Sequence, residues 1–168
     1  MTRQLGPMRL PLWLILRSGR VLGLALVLAT VSFAENQSAS FDLPEPGQAV
    51  SLVEIKAICD HFGLVELWAK IERDPPQRPF ASDGCTRWVD EFKGIDIYPA
   101  CFRHDLKYWA GYPGEKVARL KADADLMVEV AELMGETPMA ETMFAGVRLF
   151  GGEKLEATFS WGFGRHDD

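Results

Sequence analysis

Apolar residues recur three or four positions apart in several segments of the chain, and this spacing is typical of helices packed against a core. The predicted helices cover residues 50–62, 64–71, 98–110, 115–134 and 137–149. Glycine and proline separate them, most clearly at 74–79, where Asp-Pro-Pro-Gln-Arg-Pro stops any helix. Residues 80–97 carry two glycines among scattered aromatic side chains and are typical of a structured loop, and the aromatic tail 158–164 reads as extended or looped. The pattern predicts a mainly α domain held together by loops.

The first 34 residues follow a different pattern, with basic residues and no acid around an apolar run at 21–34. The basic residues are Arg3, Arg9, Arg17 and Arg20. The small residues Ser32 and Ala34 end the run, and this order of basic start, apolar middle and small-residue end is typical of a cleaved signal peptide. The run is shorter than the ~20 residues of a membrane-spanning helix, although an uncleaved anchor that also uses residues 10–15 is the alternative. We therefore expect an exported protein, either secreted or periplasmic.

Removing this segment makes the rest of the chain strongly acidic. The 168 residues hold 18 basic and 24 acidic side chains, a formal net charge of −6, and all of the acids lie after residue 34. Residues 35–168 therefore keep 14 basic and 24 acidic side chains, a net charge of −10. An acidic domain argues against nucleic acid as a partner, because phosphate binding needs a basic face. Three cysteines without paired Cys-x-x-Cys motifs likewise argue against a zinc finger.

The helix predicted over residues 98–110 carries the most informative side chains, since residues three or four positions apart share a helix face. Cys101, His104 and Tyr108 lie on one such face, and Asp105 adjoins it. The helix therefore presents an imidazole and a carboxylate to adjoining parts of one cleft. That pair suits a histidine that acts on a water molecule beside a cation held by the carboxylate.

A loop upstream supplies a second group of candidate residues, Asp83, Gly84 and Cys85. Cys85 can form a disulfide with Cys101, which would hold the loop beside the helix face that carries Asp105. Calcium prefers several oxygen ligands, including carboxylates and backbone carbonyls. Asp83, the Gly84 carbonyl and Asp105 would supply such ligands, with water completing the coordination.

The next predicted helix contains a third candidate, Asp123, between two alanines. A carboxylate at this position is well placed to accept the second imidazole N–H of His104 and to fix its tautomer. Tyr108 can hydrogen-bond the same carboxylate. Asp125, two residues further along the helix, is the competing partner for the histidine.

Together these motifs resemble the secreted phospholipase A2 superfamily, most closely its small bacterial and fungal branch. The shared pattern is Cys-x-x-His-Asp-x-x-Tyr on one helix, Ala-Asp-x-x-Leu on the next and a preceding Asp-Gly-Cys, all within residues 80–134. The resemblance implies a small helical domain with two antiparallel core helices, a calcium loop and one disulfide. Residues 80–168 would form the phospholipase A2-like domain, one compact unit with 50–79, and the segment 35–79 would supply a leader and the first helices.

The resemblance also implies calcium-dependent hydrolysis of the sn-2 ester of glycerophospholipids, which releases a fatty acid and a lysophospholipid. The site residues that it implies are His104, Asp123 and Tyr108 for catalysis, Asp83, Gly84 and Asp105 for calcium, and Cys85 and Cys101 for the disulfide. In these roles the histidine is the general base, and its aspartate partner orients it. We expect a monomer that contacts a phospholipid membrane or micelle surface peripherally.

The sequence also allows other interpretations of the function, of the third cysteine and of the aromatic residues. The loop lacks the glycine-rich calcium signature of the animal enzymes, so an exported lipid- or protein-binding domain of the same fold, with weak or no catalysis, is the main alternative. The third cysteine, Cys59, lies on the apolar face of its helix and is expected to be a buried thiol, although it would also allow a dimer. Five aromatic residues either pack the core or form a rim that contacts lipid: Trp88, Trp109, Phe159, Trp161 and Phe163.

Overall fold

The computed structural model describes residues 41–135 and 138–165, all within Ala39–Asp168, the second of the two units into which the chain divides. Its helices are α1 (Leu52–His61), α2 (Val65–Arg73), α3 (Tyr98–Trp109), α4 (Lys116–Met134) and α5 (Pro138–Phe150), and its strands are β1 (Glu91–Phe92) and β2 (Ile95–Asp96). The predicted signal peptide, residues 1–34, lies outside the described residues. The predicted mainly α architecture is confirmed, and each helix begins and ends within two residues of its predicted bounds.

Local side-chain chemistry sets the start of α1. The hydroxyl of Ser51 accepts the Glu54 N–H at 3.3 Å, and the Glu54 carboxylate accepts the Ser51 N–H at 2.8 Å. This reciprocal pair satisfies backbone donors that the first turn of a helix leaves without partners. The helix ends before Gly63, whose φ of +67° is left-handed and suits glycine.

α3 and α4 form an antiparallel pair at the centre of the fold. Arg103 pairs with Glu129 at 2.7 Å, and Lys107, which is later in α3, pairs with Asp125, which is earlier in α4, at 2.9 Å. The two helices therefore run in opposite directions. α5 packs against α4. The predicted pair of antiparallel core helices is therefore confirmed.

The core consists of two groups of buried apolar side chains. The first group joins α1, α2 and α3 to the tail and includes Ile55, Ile58, Ile71, Phe102, Leu106, Trp109, Trp161 and Phe163. The second group joins α3, α4 and α5 and includes Cys101, Leu126, Val130, Ala140 and Met143. Burial of this apolar surface is the main driving force for folding. Because α3 contributes to both groups, its polar residues His104, Asp105 and Tyr108 also lie inside the protein.

The loop before α3 is tied down by a disulfide and a short hairpin. Cys85 and Cys101 form the predicted bridge, with their Cα atoms 5.1 Å apart. β1 and β2 pair as antiparallel strands, a feature that the sequence did not predict. The turn between them has positive φ at Lys93 (54°) and Gly94 (77°). The loop is thereby held against the start of α3.

The tail after α5 returns to the core through two short 3-10 turns, at Glu153–Leu155 and Phe163–Arg165. Trp161 is buried, and its ring lies edge-on to that of Tyr108, with 5.2 Å between the ring centroids. The tail thus closes the end of α3 that carries this tyrosine. Across the described residues, no helix is long and apolar enough to span a membrane.

Candidate active site

The candidate site is built on α3, whose polar side chains are enclosed by packing on both sides of the helix. His104, Asp105 and Tyr108 are only 6%, 8% and 1% exposed. Pro99 lies in the first turn of α3, where a missing N–H costs no helical hydrogen bond. The helix therefore begins at Tyr98 without the loss of a helical hydrogen bond.

His104 is hydrogen-bonded to Asp123 of α4. The imidazole Nε2 and Asp123 Oδ1 lie 3.0 Å apart, and Asp123 is fully buried. Tyr108, one turn after His104, donates its hydroxyl to the same oxygen at 2.5 Å. An ionised carboxylate only accepts hydrogen bonds, so Nε2 carries the proton and Nδ1 keeps a lone pair. His104 is therefore held in the tautomer that can take a proton at Nδ1.

The charges around His104 favour an ionised Asp123 and a basic imidazole. Burial acts to raise the pKa of Asp123, but the hydrogen bonds that it accepts, that of His104 first, hold the pKa below its usual value. Burial acts to lower the pKa of His104, whereas the carboxylates of Asp105 and Asp123 raise it by more. The imidazole between these two carboxylates is therefore more basic than it would be in water.

Two arginines lie behind the carboxylate of Asp123. Arg148 Nη1, from the last turn of α5, donates to Oδ2 at 2.5 Å, and Arg119 Nε lies 3.9 Å from the same oxygen. Arg119 Nε also donates to the Tyr108 hydroxyl at 3.1 Å. Oδ1 of Asp123 thus faces His104 and Tyr108, whereas Oδ2 faces the two arginines.

Asp105 lies on the other side of His104, beside the loop that the disulfide holds. Its Oδ1 is 3.8 Å from His104 Nδ1, and its Oδ2 accepts the Ser82 hydroxyl at 2.6 Å. The Gly84 N–H donates to Ser82 Oγ at 3.2 Å, so the loop backbone is linked to the carboxylate through this serine. Gly84 has a φ of +79°, and a Cβ there would lie 2.7 Å from the Asp90 carboxylate. Only glycine fits this position.

The residues predicted to hold calcium form a partial set of oxygen donors. In the part of the chain that the structure describes, no three His, Cys, Asp or Glu side chains cluster so as to hold a metal ion. Asp83 is exposed and accepts the Thr86 hydroxyl at 2.7 Å. Burial raises the pKa of Asp105, and the nearby charge of Asp83 adds to the increase. Carboxylates beside a loop backbone are oxygen donors of the kind that calcium binds. In this structure, however, the carboxylates of Asp83 and Asp105 accept the hydroxyls of Thr86 and Ser82.

The structure separates the two aspartates that the sequence offers as partners of His104. Asp123 contacts the imidazole, as described above. Asp125 instead pairs with Lys107 at 2.9 Å and with Lys121 at 2.8 Å, on the outer side of α4. The geometry therefore favours Asp123 as the histidine partner.

The five aromatic residues that the sequence left undecided divide between the core and the surface. Trp109, Trp161 and Phe163 are buried and pack in the first core group. Phe159 is half-buried. Trp88 is 40% exposed and is the one of the five that is available to a partner.

Three polar residues of the site received no role from the sequence: Ser82, Arg119 and Arg148. Ser82 directly precedes Asp83 in the loop motif, but nothing in the motif indicates that its hydroxyl faces α3. Arg119 precedes Asp123 by four residues, and this helical spacing is a signal that would have found it. Arg148 follows Asp123 by 25 residues on another helix, and no local signal connects the two.

Comparison with known proteins gives a similarity to a curated protein. Over 91 residues the chain is 31% identical to a secretory phospholipase A2 of Beauveria bassiana (strain ARSEF 2860), a match that takes in 48% of this chain and 48% of that protein. The chain thus spans about half the length of the curated relative that it matches. No protein-family model and no solved structure matches the chain. The similarity supports the relationship to the phospholipase A2 superfamily that the motifs predict.

Proposed function

We propose that this protein hydrolyses the sn-2 ester of glycerophospholipids, with His104 as the general base. The observation that carries the proposal is the hydrogen bond between His104 Nε2 and Asp123, which leaves Nδ1 on the side of Asp105, 3.8 Å from its carboxylate. A fixed imidazole with one free nitrogen is the arrangement that general base catalysis on water requires. The name of the relative, secretory phospholipase A2, supports the same reaction.

In the proposed reaction, His104 takes a proton at Nδ1 from a water molecule as its oxygen attacks the ester carbonyl. Asp123 holds the imidazole in orientation and stabilises the charged form that results. Tyr108 keeps Asp123 Oδ1 in place through its hydroxyl, which lies 2.5 Å away. The proton then passes to the leaving glycerol oxygen as its bond to the carbonyl carbon breaks. The products are a fatty acid and a lysophospholipid, and water itself is the nucleophile.

Calcium is the cofactor proposed for this reaction, and Asp83, the Gly84 carbonyl and Asp105 are the groups that would hold it. When bound, the ion would supply positive charge to the ester oxyanion and to the lipid phosphate. The chain contributes a loop that is fixed to α3 in two ways, by the disulfide and by the Ser82 hydroxyl on Asp105. The loop is thereby held beside Asp105.

A phospholipid surface is the proposed partner, contacted peripherally by a monomer. Trp88, Val89 and Phe92 are 40%, 53% and 38% exposed. With Arg87 and Met139 they line a surface cavity of about 440 Å³. Large apolar side chains beside a basic residue suit the boundary between lipid headgroups and acyl chains. Export, which the pattern of residues 1–34 and the name of the relative both support, would bring the protein to such surfaces.

The test is the release of fatty acid from phosphatidylcholine by the purified protein. We expect release with calcium and none with excess chelator, and a loss of roughly 10²- to 10⁴-fold in His104→Gln, because the base is removed. His61→Gln is the matched control, since His61 is exposed and stacks on Phe41 at 4.5 Å between ring centroids. Activity that survives in His104→Gln would contradict the mechanism. Fatty-acid release that continues in excess chelator would contradict the role of calcium.

The alternative function is lipid or protein binding without catalysis. The exposed position of Asp83, with its carboxylate on Thr86, is the observation that favours it over a competent calcium site. Wild-type protein that releases no fatty acid from any of several lipids, while vesicle binding persists in His104→Gln, would support this alternative.

A further inference from the structure

Arg148 reaches the proposed catalytic pair from α5, a helix outside the sequence motif. We infer that Arg148 is a positioning residue, which holds Oδ2 of Asp123 so that Oδ1 stays in place for His104. The inference rests on the function proposed above, in which the pair of His104 and Asp123 activates water. The effect of Arg148 passes through Asp123, whose other oxygen is the one that the imidazole uses.

The hydrogen-bond partners of the Asp123 carboxylate are all protein groups, because the residue is 0% exposed. Oδ1 accepts the Tyr108 hydroxyl at 2.5 Å and faces His104 Nε2 at 3.0 Å. Oδ2 accepts from Arg148 Nη1 at 2.5 Å. Removing the partner of a buried charge is costly, since the remaining charge is left without compensation. Asp123 would therefore not keep its present orientation after Arg148 is removed.

Arg119 is a second cation near Asp123, but its hydrogen bonds hold it elsewhere. Its Nη2 donates to the carbonyls of Val147 and Arg148, each at 2.8 Å, and its Nε donates to the Tyr108 hydroxyl at 3.1 Å. The same Nε lies 3.9 Å from Asp123 Oδ2, beyond hydrogen-bonding distance. Without Arg148 the carboxylate would have to turn toward Arg119 to regain a partner. That rotation moves Oδ1 away from the imidazole.

The end of α5 is held in place, and this gives Arg148 a defined direction. The two carbonyls that Arg119 binds belong to the last turn of the helix, where carbonyls lack helical partners and a cation is favourable. Gly151 follows the helix, and an added Cβ there would lie 2.6 Å from the Tyr108 hydroxyl. The Arg148 side chain itself is 31% exposed. Shortening it therefore removes the ion pair without emptying the core.

The test compares Arg148→Met, Arg148→Lys and Arg103→Met, with short-chain phosphatidylcholine dispersed in solution so that surface binding does not enter. Arg103→Met is the matched control, because Arg103 pairs with a different α4 carboxylate, Glu129, at 2.7 Å. In Arg148→Met we expect kcat to fall roughly 10- to 100-fold, the effect of losing a charged hydrogen bond to a buried group, with KM nearly unchanged. Arg148→Lys should recover most of kcat, because its ammonium keeps the charge beside Oδ2.

A second measurement does not depend on activity. A proton on His104 Nε2 that is buried in a hydrogen bond to a carboxylate gives a downfield resonance in the proton NMR spectrum. We expect this resonance in the wild type, in Arg148→Lys and in Arg103→Met, and its loss or broadening in Arg148→Met. Thermal unfolding of each variant establishes that the comparison is made between folded proteins.

The outcomes distinguish this inference from the proposed function. An inactive wild type contradicts the proposed function, while the resonance still tests the inference. A resonance that is unchanged in Arg148→Met overturns the inference whatever the activity. Equal losses of kcat in Arg148→Met and Arg103→Met also overturn the inference, because the loss would then come from disturbed packing of α4 in general.

Discussion

Whether a carboxylate of α4 reaches the imidazole depends on its position around the helix. Asp123 and Asp125 are two residues apart, which corresponds to about 200° of rotation. The first therefore points into the core and is fully buried, whereas the second points outward to Lys107 and Lys121. Partly exposed ion pairs of the second kind contribute little to stability. The same substitution at the two positions should thus have very different effects.

Asp123→Asn should lower kcat roughly 10²- to 10⁴-fold, because the amide removes the charge that orients the imidazole and stabilises its protonated form. Asp125→Asn, the matched control, should keep nearly wild-type kcat, since it changes only a surface network. Both are measured by fatty-acid release on the same dispersed substrate. A greater loss in Asp125→Asn than in Asp123→Asn would reverse the assignment of the histidine partner.

The side chains of α3 could be placed from the sequence because their spacing is local. His104 and Tyr108 are four residues apart, so any helix through them brings both to one face. Ser82 and Arg148 could not be placed, because their directions depend on how a loop and a distant helix pack against α3 and α4. The candidate catalytic residues were thus easier to place from the sequence than the residues that contact them.

At the scale of elements, the disulfide joins a loop with little regular structure to the most enclosed helix of the fold. Cys85 and Cys101 are 5% and 3% exposed, and 16 residues separate them along the chain. Closing a loop of this length reduces the freedom of the unfolded chain and stabilises the folded state by roughly 3 kcal/mol. The bridge directly follows Gly84, whose N–H donates to the Ser82 hydroxyl, and that hydroxyl in turn donates to Asp105.

The double variant Cys85→Ser/Cys101→Ser should therefore have a lower Tm than the wild type and keep its helical circular dichroism at low temperature. Thermal unfolding followed by circular dichroism measures both properties. A reducing agent provides the control, because it should lower the Tm of the wild type and leave that of the double variant unchanged. Equal Tm values for variant and wild type would mean that the bridge adds no stability.

The positions of the helices followed from the sequence, whereas the hairpin and the tail did not. An apolar period of 3.6 residues is visible over segments of nine residues or more, such as α2 and α5. β1 and β2 contain two residues each, too few to show the alternation of a strand. The tail is placed by contacts between aromatic rings, and these depend on the finished core.

For the whole molecule, net charge and exposed apolar side chains have opposite effects on binding to lipid. The chain carries a net charge of −6, and residues 35–168 carry −10. An anionic lipid surface repels such a domain, whereas the exposed side chains of Trp88, Val89 and Phe92 favour contact with any lipid. The composition of the surface should therefore decide which of the two effects is larger.

We expect the His104→Gln variant, which should not consume the lipid, to bind phosphatidylcholine vesicles more tightly than vesicles that also contain phosphatidylserine. The difference should be greatest at low salt, because at physiological ionic strength screening limits the repulsion to about 8 Å. Sedimentation with vesicles at several salt concentrations measures the binding. Tighter binding to the anionic vesicles at low salt would contradict the role given to the net charge.

The remaining cysteine, Cys59, lies on the face of α1 that packs into the first core group and is 1% exposed. Burial raises the pKa of its thiol to about 11, so reactive thiolate is scarce at neutral pH. A water-soluble thiol reagent, or the same cysteine of another copy, reaches it only after α1 has separated from the core. The rate at which a reagent labels this native cysteine therefore measures how often α1 separates from the core of the folded protein. No cysteine has to be introduced by mutation.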